Sequence, residues 1–129
     1  MRPIYAGAQD EKFDSKGNRG LWYTRFFDRY GTDHLLDEDA KRAWVSDNAH
    51  RTGNSAALDA HAARQQALVT ALDGRTRMFA TDWHFATGLG LPHPVENGLN
   101  WHHTLGVPYL PGSGVKGLVR AWVECWDES

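Results

Sequence analysis

With 129 residues, one cysteine and a formal net charge of -2, the chain fits one small domain with no internal disulfide. Ordinary apolar content and mixed charges argue against wholesale disorder, and a globally basic surface is excluded, so contact with nucleic acid must rest on a local patch. There is neither an apolar run of membrane-spanning length nor a secretory signal near the N-terminus, and an intracellular, cytoplasmic setting is expected.

Residues 1–19 carry scattered charge without a period and read as a mobile arm. Residues 20–75 read as a helical region. Leu21, Trp22, Phe26 and Tyr30 fit one face of a helix that Gly31 would end, docked on the core. Asp37 to His50 reads as a second helix, with acidic residues at its start as the helix dipole prefers. After a polar break, Asn54 or Ser55 should cap a helix running to about Leu72. Leu58, Ala62, Leu68, Val69 and Leu72 would face inward, and Gly74 would supply the stop.

From residue 77 to 87 the period becomes two. Phe79, Thr81, Trp83 and Phe85 would share one face of a half-buried strand, with Asp82 and His84 on the other. Gly88 to Gly98 is a connection, and Leu99 to Thr104 a second strand. Then comes Pro108-Tyr109-Leu110-Pro111-Gly112-Ser113-Gly114-Val115-Lys116-Gly117-Leu118-Val119-Arg120. The prolines hold the approach extended. Gly112 to Gly117 should form a tight turn with Ser113 as N-cap, and a helix should run from about Gly114 to Trp126. Val115, Leu118, Val119, Trp122 and Trp126 lie on one stripe of it, and Lys116, Arg120 and Glu124 on another. A glycine turn at a helix start, with free N–H groups and nearby cations, suits a phosphate backbone.

This motif resembles the glycine-rich signature of the repeat-associated mysterious proteins, the ferredoxin-like RNA-binding subunits of CRISPR interference complexes. The upstream Gly88-Leu89-Gly90-Leu91-Pro92-His93-Pro94 and Glu96-Asn97-Gly98 are most similar to the sixth subunit of the Cmr-type (type III-B) complex, with weaker support from Asn18 to Tyr23 and Phe26. Gly114 stands where the pattern has a second serine, and Val115 where it has leucine. The resemblance is strong over about residues 76–124. It implies an α+β fold in which N-terminal helices precede the opening hairpin, glycine-rich turn and first helix of a ferredoxin-like (RRM-like) domain over 76–129. That domain would be incomplete, since the usual subunit continues further.

The implied function is a noncatalytic guide-RNA-binding and assembly subunit of an antiviral RNA-targeting complex. Its partners would be guide RNA and the other Cmr subunits, with no cofactor, no metal and no small-molecule substrate. Gly112, Ser113, Gly114, Lys116, Gly117 and Arg120 would carry the RNA contact. Lys12, Lys16 and Arg19 could touch RNA too, although a solvated tail is the simpler reading.

Other chemistry fits less well. Gly112 to Gly117 literally matches the dinucleotide fingerprint G-x-G-x-x-G, leaving a dinucleotide-binding enzyme fragment as the alternative. That reading asks for a buried parallel strand where Pro108 and Pro111 stand. His84, His93, His102 and His103 lack metal-site spacing, and surface or hydrogen-bonded core histidines explain them better. Asp82, His84 and Glu96 are the nearest thing to a nuclease set, and structural roles account for them more simply.

Overall fold

A computed structural model describes residues 12–31, 33 and 35–126. Among the described residues there are four helices: α1 (Arg19–Arg25), α2 (Glu38–Asn48), α3 (Ser55–Ala71) and α4 (Gly112–Trp126). Among the described residues extended pairing is limited to one antiparallel bridge, Trp101 with Pro108.

The first three helices start where side-chain acceptors sit. Asn18, Asp37 and Asn54 each accept a backbone N–H three residues on, from Leu21, Ala40 and Ala57, which satisfies one orphan donor per helix. At the end of α3, Asp73 takes a left-handed conformation with φ of 53°. The Gly74 N–H reaches the Val69 carbonyl and the Asp73 N–H reaches that of Thr70, the paired bonds of a Schellman stop. The expected stop is thus one residue early, on an aspartate that tolerates this region rather than on Gly74 itself.

The core is small and aromatic. Tyr23, Phe27, Trp44, Val95 and Trp101 are buried, with Trp22, Tyr30, Leu36 and Leu99 packed around them. Trp44, only 2% exposed, lies between Trp22, Tyr23 and Phe27, with ring centroids 6.2, 6.2 and 5.2 Å away. The core thus joins α1 and α2 to the irregular segment 88–109. The expected face of α1 is corrected here. The helix ends at Arg25, not Gly31, and Tyr23 and Phe27 rather than Leu21 turn inward. Leaving the helix lets Phe27 meet both Trp44 and His93 edge-on, at 5.2 and 6.1 Å. Burial of two aromatic contacts outweighs another turn of helix.

The segment 88–109 is held by specific bonds. Its backbone closes through Leu91 N–H to Gly88 O and Gly98 N–H to Leu89 O. The Tyr23 hydroxyl donates to Asn97 O, and the Asn18 amide donates to His103 O at 2.6 Å. Lys41 of α2 bridges Glu38 at 2.7 Å and Glu96 at 2.6 Å. These bonds raise the ammonium's pKa and lower that of Glu38. The bridge holds Glu96, whose φ of 63° is uncommon for a residue with a side chain.

His93 is a core histidine. Its ring stacks on Tyr23 at 4.4 Å, Nε2 donates to Tyr23 O at 2.8 Å, and Nδ1 accepts from Val95 N–H at 3.2 Å. Both nitrogens are used by the neutral ring, and burial lowers its pKa against the opposing pull of the Tyr23 carbonyl. The unfolded chain therefore binds this proton more readily than the folded one. Stability should be full above about pH 6.5 and fall as the pH drops below it toward the folded pKa. Denaturant melts at pH 8 and pH 5.5 should show the loss, and His93→Gln should show a smaller difference between the two. An equal difference in both proteins would place the acid sensitivity elsewhere.

The expected hairpin of 77–87 with 99–104 is not formed. Among the described residues no backbone bond ties 77–86 to another segment. Met78 is 97% exposed and Trp83 81%, with Phe79 and Phe85 also exposed. A period-two pattern builds a strand only when a partner supplies hydrogen bonds, and the partner is engaged elsewhere. Tyr109 N–H bonds Asn100 O and His102 N–H bonds Val107 O, so that 100–102 pairs with 107–109. Pro108 fits because the pair it makes with Trp101 is the non-hydrogen-bonded kind, which asks nothing of the missing N–H. The contact with 77–87 reduces to its last residue: Asn100 N–H bonds Thr87 O, and Thr87 Oγ1 donates to Tyr109 O at 2.8 Å.

α3 and α4 bury no residue. Leu68 and Leu72 are exposed rather than inward-facing. On α4, Val115, Leu118, Val119, Trp122 and Trp126 are all exposed, and they do not cover Phe79, Trp83 and Phe85 as expected. The four helices do not pack along one another; the core forms instead through single aromatic side chains.

Candidate nucleic-acid interface

The glycine run does not form a turn before a helix; it is the first part of α4 itself. Pro111 stands just ahead, and its carbonyl accepts from Gly114 N–H at 2.9 Å and Val115 N–H at 3.2 Å. Ser113 therefore lies inside the first turn and is not the N-cap. Pro111 has no side-chain acceptor to offer, so among the described residues the Gly112 and Ser113 N–H groups have no partner. No acidic residue stands in the first turn to compensate the positive end of the helix.

Nor does the backbone need these glycines. The left-handed glycines among the described residues are Gly53, Gly88 and Gly106. A Cβ at Gly112 or Gly117 would meet nothing within 4 Å, and one at Gly114 would touch only Leu110 Cδ1 at an ordinary 3.5 Å. Three residues of poor helix propensity thus open a helix with no internal reason for them. What they provide is bare, accessible backbone.

Lys116 and Arg120 follow one turn apart, both exposed. Lys116 makes no ion pair among the described residues. Arg120 Nε lies 3.9 Å from Glu124 Oε1, with both side chains largely exposed, an i,i+4 contact worth about 0.3–0.5 kcal/mol or less. Either cation can be drawn to an external anion at little cost.

The other candidate residues are dispersed. Glu96 is held by Lys41, His93 is in the core, and Asp82 and His84 lie on the exposed segment. His102 Nδ1 accepts from Leu105 N–H. No group of histidine, cysteine and carboxylates able to hold a metal is present among the described residues. The dinucleotide reading loses its structural context: no parallel strand precedes the glycines among the described residues, which here are helical. No helix among them is long and apolar enough to cross a membrane.

Residues 78–128 match the sequence model of the RAMP superfamily. The match spans the exposed segment, the 88–109 connection and α4 with its glycines, and supports the superfamily for that part of the chain. No curated protein and no solved structure matches the chain.

No local pattern singles out Arg51, and the lack of a period over residues 1–19 places Arg19 in the expected mobile arm. Residues 1–11 of that arm lie outside the described residues, but Arg19 opens α1. Its guanidinium lies 3.6 Å from the Phe13 ring centroid and donates to Asn48 Oδ1 at 3.3 Å. The capping pattern at Asn18 was the available signal that Arg19 is ordered.

Proposed function

We propose that the chain is a noncatalytic, guide-RNA-binding and assembly subunit of a CRISPR effector complex of the Cmr type (III-B), acting in the cytoplasm near the guide's 3′ portion with the other subunits as partners. Residues 76–129 would be its ferredoxin-like part, residues 20–75 a helical support and 1–19 an arm. The observation that carries the reading is the bare glycine start of α4, which lies inside the segment matched to the RAMP superfamily. Gly112, Ser113, Gly114 and Gly117 offer backbone close to a phosphate, and Lys116 and Arg120 supply charge beside it.

The test is RNA binding across a salt series. Lys116→Ala and Arg120→Ala should each weaken binding to unrelated single-stranded RNAs alike, because phosphate contacts carry no base information. Each should make the slope of log affinity against log salt shallower by about 0.7. Unchanged affinity and slope in both variants would reduce the motif to a helix start.

A further inference from the structure

The geometry points to a second site for the phosphodiester backbone of a single-stranded nucleic acid, in a cleft lined by residues 13, 15–19, 51–54, 57 and 104–105. The cleft has a volume of about 510 Å³, and Lys16, Arg19 and Arg51 line it without any carboxylate. In a chain whose acidic residues outnumber lysine and arginine, three cations without an acid among them are a segregated charge.

Some of the chain's cations are neutralised elsewhere, and others, such as Arg25, Arg64 and Lys116, have no ion pair among the described residues but stand outside the cleft. Arg29 is paired with Asp28 and Asp47, Lys41 with Glu38 and Glu96, Arg42 with Asp39, and Arg120 with Glu124. Among the described residues none of Lys16, Arg19 and Arg51 has an ion pair. Asp14, which stands in sequence between the lining residues Phe13 and Ser15, accepts from the Lys16 backbone N–H at 2.8 Å and makes no ion pair with Lys16, Arg19 or Arg51. Arg19 is the informative member, because it is partly buried. An aromatic face and a neutral amide hold the guanidinium in place without an ion pair among the described residues, on the side where a neighbouring cleft carries Asp28 and Asp47.

The cleft wall is otherwise uncharged, and the start of α3 in it is capped by Asn54, whose Oδ1 accepts from Ala57 N–H. Asn54 and Ala57, at the start of the 17-residue α3, line it, and so do Ser15, Thr52 and Thr104 with hydroxyl groups able to donate. The three cations come from residues 16 to 51, whereas the α4 site lies beyond residue 111, so the two sites are built independently. The choice of a nucleic-acid strand as the anion rests on the RNA-binding reading above. A space of this size, with cations from two separate stretches of the chain, suits successive phosphates better than one free anion.

The experiment uses the full chain and fluorescently labelled oligouridine, with anisotropy read across a salt series. Lys16 and Arg51 are exposed, so the double variant Lys16→Ala/Arg51→Ala should keep its melting temperature; Arg19 is left in place because it braces Phe13 and Asn48. The salt slope should become shallower by about 1.4, the value for two lost single-strand contacts. The variant Lys116→Ala/Arg120→Ala is measured beside it. A cleft variant with a reduced slope supports the second site whatever the α4 variant does, and a silent α4 variant would then remove only the site proposed on α4. An unchanged slope in the cleft variant overturns the second site alone. Wild-type chain that binds inorganic pyrophosphate but no oligouridine overturns the strand and the RNA-binding reading together.

Discussion

Trp44→Ala should abolish cooperative unfolding. Trp44 is the most completely buried side chain and touches Trp22, Tyr23 and Phe27, three of the aromatics that define the core. Removing a buried tryptophan costs about 3–5 kcal/mol in transfer and cavity terms. A small domain near the lower end of the usual 5–15 kcal/mol has little in reserve, and among the described residues the core comprises five buried apolar side chains. The control is Trp83→Ala. Trp83 is 81% exposed, and its removal should change stability by about 0.5 kcal/mol or less. The two variants change composition identically, so a contrast between them reports burial alone. A cooperative melt of Trp44→Ala within a few degrees of the parent would show that the chain is organised around some other centre.

Two glycine substitutions should have opposite effects on the fold. A Cβ at Gly98 would stand 2.4 Å from Leu91 O, 2.6 Å from Leu91 Cβ and 2.7 Å from Gly88 O. Two of these atoms are backbone and cannot rotate away, so the 88–98 loop must open. Its bonds to Tyr23 and its placement of Val95 would go with it. Gly98→Ala should cost about 1–3 kcal/mol or more. Gly117 is mid-helix in open space, where alanine is favoured by about 0.8–1.0 kcal/mol. Gly117→Ala should therefore raise helicity in circular dichroism. If the phosphate reading of α4 holds, the same change should weaken RNA binding, because the added methyl stands where the strand must approach. A variant with more helix and undiminished RNA affinity would separate the glycines from binding, while Lys116→Ala continued to test the charge.

The helices were legible to different degrees. α2 and α3 follow from local signals, the aspartate and asparagine caps and the stop around Asp73 and Gly74. The start of α4 was misplaced because Ser113 resembles an N-cap, whereas the Pro111 carbonyl already closes the first turn. The end of α1 depended on Phe27 reaching Trp44, a contact across 17 residues that no periodicity records. His93 looked like one of four clustered histidines. Its burial and both hydrogen bonds arise from Tyr23 and Val95, one of them 70 residues away along the chain.

The sequence by itself determined the existence of α2 and α3, the Asn54 cap of α3 and the two stripes of α4, and residues 78–128 match the RAMP superfamily. These rest on hydrogen bonds and side-chain spacings within a few residues. Only the tertiary structure decided that 100–102 pairs with 107–109 and not with 77–87, because alternation marks a strand's faces and does not name the segment that supplies its hydrogen bonds. It also decided that Lys16, Arg19 and Arg51 line one cleft. Charge adjacency of that kind is a property of how distant loops pack, and packing depends on contacts that local pattern does not encode.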